Sequence, residues 1–168
     1  MPEERGPFSK EGAGYAVDLG EGARDLLVEL CRQSRLLLEH EDPSSDPAMD
    51  RLFPPAYPDD PLADLEFGSA LGDTPKNDKL AAIETVERTA NAEHLTEEEL
   101  LAWIGVVNDL RLIIGTRLEV TDDPDDEGPG PDDPSREAFE VYLFLGMLLQ
   151  EMLGEVGAPE PEEPPASS

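Results

Sequence analysis

Cysteine is nearly missing from this chain. Cys31 is the single one in 168 residues, which excludes an intrachain disulfide and any cysteine-rich metal site. Positive charge is scarce too: 12 Lys and Arg stand against 40 Asp and Glu, a formal charge of −28. The densest basic region, Arg24 to Arg35, holds only three arginines. Nucleic-acid affinity rests on cations that neutralise phosphates, so direct DNA or RNA contact is not expected. Anionic membrane surfaces are disfavoured for the same reason. Long apolar runs are lacking as well. The longest are broken by Asn, Asp, Arg or Gly, short of a membrane span, and the charged, turn-forming start from Met1 to Gly6 shows no signal peptide. The expected compartment is the cytoplasm.

Catalytic signatures are equally scarce. The chain has no HExxH, CxxC, GxSxG or Walker-type glycine loop. His40 and His94, its two histidines, have no partner at ligand spacing. Each falls at an expected helix end, where a cation offsets the helix dipole. No enzyme chemistry, metal or cofactor is therefore expected.

What is present is helical periodicity between turn-rich segments. The length suits one domain: a disordered stretch over 1–7, a helical domain over 8–157 and a disordered acidic, proline-rich tail over 158–168. Within it, Thr121 to Pro134 carries seven carboxylates, four prolines and no cation, which reads as an exposed, self-repelling connector. Phe8 to Leu19 reads as two short extended runs about a glycine turn, a β-hairpin.

Leu27, Leu30, Leu37 and Leu38 recur at helical spacing from about Gly22 to Glu39. Pro54, Pro55, Pro58 and Pro61 keep the next stretch extended, and Pro61 can open a short helix to about Leu71. Further helices are expected from about Pro75 to Asn91 and from about Ser135 to Val156. Thr96 followed by Glu97, Glu98 and Glu99 has capping-box spacing and opens a helix from Glu97 to about Leu118. The fold class is mainly all-α, an irregular bundle of four to five helices with a short N-terminal hairpin.

The helix from Glu97 to Leu118 is apolar on more than one face, so it should be central and largely buried. Asn108, Asp109 and Arg111 interrupt it, and buried polar groups persist only when partnered. Arg111 sits within the stripe of Leu100, Ile104, Val107, Ile114 and Leu118, so it needs a carboxylate or several carbonyls. Asp59 and Asp60 of the proline-rich segment, or Glu151 of the last helix, are the candidates. The cluster Asp59, Asp60, Asn108, Asp109 and Arg111 then reads as a buried clamp, with a small-molecule pocket as the alternative. Gly105 and Gly115 should allow close approach of another backbone. Cys31 shares a face with Leu27 and Leu38, which suits a small buried hydrophobe. Arg32 and Arg35 nearby would favour a thiolate, leaving a redox-sensitive Cys31 as the other reading.

Three stretches together resemble a known family: Arg51-Leu52-Phe53-Pro54-Pro55-Ala56-Tyr57-Pro58-Asp59-Asp60, the helix stretch Asn108-Asp109-Leu110-Arg111-Leu112 with Gly115-Thr116-Arg117-Leu118, and Val141-Tyr142 with Gln150-Glu151. They resemble an actinobacterial domain-of-unknown-function family often encoded beside the ClpS adaptor, which includes the AosR group of oxidative stress transcriptional regulators. The resemblance implies a non-enzymatic regulator that binds a sigma factor or RNA polymerase. An accessory role in Clp proteolysis is the alternative suggested by gene neighbourhood. The family's redox version is similar to a CxxxC switch on the first helix. Here the matching stretch is Cys31-Arg32-Gln33-Ser34-Arg35, without the second cysteine, so an intramolecular switch is closed to this chain.

Overall fold

The computed structural model describes residues 6–40, 48, 52–53, 59–71, 74–118, 129–130 and 132–157. Among these, the elements run β1 (Phe8–Glu11), β2 (Gly14–Val17), α1 (Glu21–His40), α2 (Pro61–Leu71), α3 (Thr74–Thr89), β3 (His94–Thr96), α4 (Glu97–Leu118) and α5 (Arg136–Gly157). The fold is mainly helical, as the periodicity predicts. The expected hairpin is present, but it belongs to a three-stranded antiparallel sheet of order β1-β2-β3. Residues 1–5, 121–128 and 158–168, and most of the proline-rich segment, lie outside the described residues.

The hairpin turns at Gly12, whose φ of 61° falls in the left-handed region, where a residue without Cβ pays no steric penalty. Gly14 answers a different need: a Cβ there would lie 2.5 Å from the Leu95 carbonyl oxygen. Only glycine lets β2 approach β3 that closely. The pairing places Tyr15 opposite Leu95 and Ala16 opposite His94. His94 is thus a strand residue with Nε2 3.5 Å from Glu11 Oε2, and not the helix-end cation expected from sequence. A strand this short acquires its identity from its partner, which no local pattern reports.

Capping geometry sets the helix starts. Thr96 N donates to Glu99 Oε1 at 2.9 Å and Glu99 N to Thr96 Oγ1 at 3.1 Å, the reciprocal capping box predicted for α4. Asp60 Oδ1 accepts from Ala63 N at 3.1 Å, capping α2 ahead of Pro61. The end of the acidic connector is ordered in the same way. Asp133 Oδ1 accepts from both Ser135 N and Ser135 Oγ just before α5, and these bonds hold its carboxyl below the ordinary range.

Helix α4 is central, packing against α3, α5, α1 and the sheet. Trp103 is fully buried, edge-on to Phe8 with ring centroids 6.0 Å apart. Its Nε1 donates to Thr89 Oγ1 at 2.8 Å, and that hydroxyl donates in turn to the Thr85 carbonyl. The buried indole is therefore satisfied, as a polar group in a core must be.

On α1 the buried positions are Arg24, Leu27, Cys31, Ser34 and Leu38, a stripe at the alternating three- and four-residue spacing of a packed helix. Its first member is charged. Arg24 Nε donates to the Leu19 carbonyl at 3.0 Å, Nη1 to those of Ala90 and Ala92 at 2.7 and 2.8 Å, and Nη2 to that of Val17 at 3.4 Å. One guanidinium thus joins the end of β2, the entry to α1 and the turn after α3. Its place at the C-terminal end of α3 also complements that helix's dipole. Arg24→Met should lower stability by about 3–5 kcal/mol, because several buried carbonyls lose their donor. Arg24→Lys should recover only part, since an ammonium lacks the planar fork. Denaturant midpoints at unchanged slope would measure both.

Candidate functional site

The polar residues of α4 do not converge. Asp109 Oδ2 lies 2.9 Å from Lys79 Nζ of α3, and that ammonium also sits 5.5 Å from the centre of the Phe53 ring. Burial pushes the Asp109 carboxyl above the ordinary carboxylate range, with the Lys79 hydrogen bond and charge opposing it in part. Arg111 turns toward α5, where its guanidinium lies 5.0 Å from the Tyr142 ring centre. Its Nε is buried and has no hydrogen-bond partner among the described residues. Asn108 is half-buried.

The clamp expected from sequence is therefore corrected. Asp59 and Asp60 are exposed, and Asp60 caps α2. Glu151 lies against Gly6, where a Cβ would meet its Oε2 at 2.7 Å. Asp109 joins α4 to α3, and Arg111 joins α4 to α5. The physical reason is that a guanidinium spread over an aromatic face gains cation–π attraction without needing a carboxylate. Gly146 makes room for it: a Cβ there would lie 3.4 Å from Arg111 Nε. Gly115 admits an aromatic side chain and not the backbone expected from sequence: a Cβ there would lie 3.0 Å from the Tyr142 ring. Gly105 faces open space instead.

Cys31 is fully buried. Burial, reinforced by the charge of Glu87, pushes its thiol up to about 12, and Arg35 only partly counters this. The cations that would favour a thiolate are engaged elsewhere. Arg32 pairs with Glu29 at 2.6 Å, and Arg35 forms an ion pair with Glu87 of α3. The geometry thus fits the small buried hydrophobe of the two sequence readings. Arg35 also stands where the family resemblance implies a second cysteine.

No group of three His, Cys, Asp or Glu among the described residues could hold a metal ion. No helix among them is long and apolar enough to cross a membrane. Surface clefts among the described residues include two beside α3. One of 310 Å³ is lined by Ala81, Thr85, Arg88, Glu99 and Ala102. The other, of 520 Å³, is lined by Arg35, Glu39, Leu80 and Glu84. Neither includes Asn108, Asp109 or Arg111.

A feature that sequence reasoning missed lies on the outside of the bundle. Leu101 of α4 and Leu143, Met147 and Leu153 of α5 are large aliphatic side chains left substantially exposed. The available signal was that α5 is apolar around more of its circumference than one packing face uses.

Three outcomes follow from these placements. Cys31 should react with an alkylating agent only as the protein unfolds, which thiol titration with and without denaturant would show. Arg111→Met should change stability by less than about 1 kcal/mol, because the lost cation–π contact with Tyr142 is offset by removal of a buried, unbonded Nε while the packing is kept. Asp109 should make stability fall as pH rises. The folded state holds this proton more tightly than the unfolded chain, so the loss begins near the unfolded value and is complete above the raised folded one. Asp109→Asn should remove that component from midpoints measured across the acid range.

Comparison with known proteins places this sequence. Two relatives, from Mycobacterium bovis and Mycobacterium tuberculosis, each carry the name oxidative stress regulator AosR. Each is 32% identical over 131 residues, 68% of this chain and 59% of its own length. A Mycobacterium leprae protein is 31% identical over 125 residues, 64% of this chain and 57% of that protein. The chain thus spans less than two thirds of the relatives it matches. No solved structure matches it. Residues 5–156 match the family described as Domain of unknown function (DUF2017), and with nearly its whole folded part covered, the chain belongs to that family.

Proposed function

We propose that this protein is a non-enzymatic cytoplasmic regulator of the oxidative stress response that acts by binding a protein of the transcription machinery, a sigma factor or RNA polymerase. The regulatory part of this reading is supported by relatives named oxidative stress regulators. The mode of action is supported chiefly by the charge. At −28, the chain repels the phosphate backbone, so a role in transcription must pass through protein contact. Aliphatic side chains left exposed among carboxylates supply surface for such a contact.

In this reading Cys31 is not the sensor, because its thiol is buried and held in the protonated form. The oxidant signal enters through the partner or through a part of the surface other than this thiol. Affinity capture from cells before and after oxidant treatment tests the proposal, with recovery of a sigma factor or RNA polymerase subunit as the expected result. Recovery of only ClpS or a Clp ATPase would overturn it in favour of an accessory role in proteolysis. Cys31→Ser should leave both the captured partner and the oxidant response intact.

A further inference from the structure

The exposed aliphatic side chains of α4 and α5 have a common arrangement. Leu143, Met147, Gln150 and Gly154 follow one another along the outer face of α5, and all are exposed. Leu153 lies on the flank toward α4. The neighbours Gly115–Tyr142 and Arg111–Gly146 show that α4 and α5 run antiparallel. Continuing that register brings Ile104 level with Leu153, and Leu101 level with Val156. Leu101 and Leu153 therefore belong to the same end of the helix pair. Leu101, Leu143, Met147 and Leu153 keep 51, 51, 44 and 49% of their surface exposed, and large apolar side chains exposed near one another mark an interaction surface where single ones do not.

The rim of this face is acidic. Glu97 and Glu98 are exposed one turn before Leu101, and Glu137 and Glu140 before Leu143. The one cation of α5 is Arg136, which pairs with Glu140 at 3.3 Å and lies over the Phe139 ring. This charge selects the occupant. A second copy of the chain would bring a further −28 to the contact. The chain's own segments 119–135 and 158–168 carry carboxylates and no Lys or Arg, so they too are repelled. Nucleic acids and anionic membranes share that sign.

We infer that the outer face of α5, extended by Leu101, docks a cationic amphipathic helix of a protein partner. The partner's aliphatic side chains lie against Leu143, Met147, Leu153 and Leu101, and its lysines or arginines meet the surrounding carboxylates. This inference rests on the reading that the chain works by binding a protein, and it names the surface and the chemistry of the bound segment.

The test uses the purified full chain and a synthetic helical peptide of about 18 residues, roughly five turns, with leucines on one face and lysines on the other. Calorimetry should show saturable one-to-one binding, and amide NMR shifts should be confined to α5 and the Leu101 turn. A scrambled peptide of equal composition should bind roughly tenfold more weakly or worse, because its charge is kept and its apolar stripe lost. Leu143→Ser combined with Met147→Ser should cost a similar factor, roughly tenfold. Leu62→Ser, on exposed α2, should cost nothing. Circular dichroism would verify that these surface variants fold.

Equal binding of the scrambled peptide, or undiminished binding by the double variant, would overturn the inference as charge attraction alone. Shifts centred on α1 or α2 would overturn it as well. So would a dimer in sedimentation that Leu143→Ser dissociates, since a second copy would then be the occupant. The outcomes stay separate from those of the cellular capture. Peptide docking without a transcription partner refutes the regulator reading and keeps the surface, and capture of a sigma factor without docking refutes the surface alone.

Discussion

The fold depends on a cation placed where a hydrophobic residue would ordinarily sit. Arg24 takes the first position of the buried stripe on α1 and gives its guanidinium to four carbonyls from three parts of the chain. Unpaired, a charge at this depth would cost several kcal/mol, on the order of a large fraction of a small domain's stability. Paired in this way, it fixes where the hairpin meets the bundle. The turn after α3 is held against β2, and Val17 N donates to the Glu93 carbonyl at 2.8 Å. β3 can then pair with β2, and the capping box at Thr96 starts α4 directly from the strand's end. The direction of the central helix thus follows from contacts made before its first turn.

This dependence explains what could and could not be read from the residues. The start of α4 was legible because Thr96 and Glu99 are near neighbours whose bonds need nothing else. The opening of α2 at Pro61 was local in the same sense, whereas the Asp60 cap before it was not legible, since the sequence reading places Asp60 in the clamp. Strand β3 was not legible, since three residues become a strand only when Gly14 lets β2 reach them. Arg24 was hidden for a related reason. Its acceptors are backbone carbonyls, which every residue has, and two of them lie more than sixty positions away. Charge patterns in a sequence advertise side-chain partners and say nothing of such acceptors.

The Asn108–Arg111 cluster shows the opposite error, in which adjacency in sequence suggested a shared role. Successive helical positions point in different directions, so Asp109 met α3 while Arg111 met α5. The expected carboxylate for Arg111 was replaced by a ring, an acceptor of a kind that charge counting omits. Cys31 was left open for a comparable reason. Two arginines stand close to it in sequence, but each already has a glutamate, and Glu87 is among the groups that raise the thiol. The family's residue signature was legible throughout, because it needs identity of residues and no knowledge of their contacts.

With its thiol pushed up to about 12, chiefly by burial, Cys31 is far less ionised at neutral pH than an ordinary thiol. Oxidants react with the thiolate, so this cysteine is disadvantaged by charge state as well as by access. In the proposed regulatory role the oxidant signal has to enter in another form. The chain's remaining assets are a strongly acidic surface and a helix whose outer face keeps exposed aliphatic side chains, and the two complement each other. Long-range attraction speeds the encounter with a basic partner and falls with salt, whereas burial of leucine and methionine sets how long the complex lasts. A partner with charge alone would bind briefly, and one with apolar side chains alone would approach slowly. In the inferred docking, selectivity therefore comes from requiring both on a single helical face.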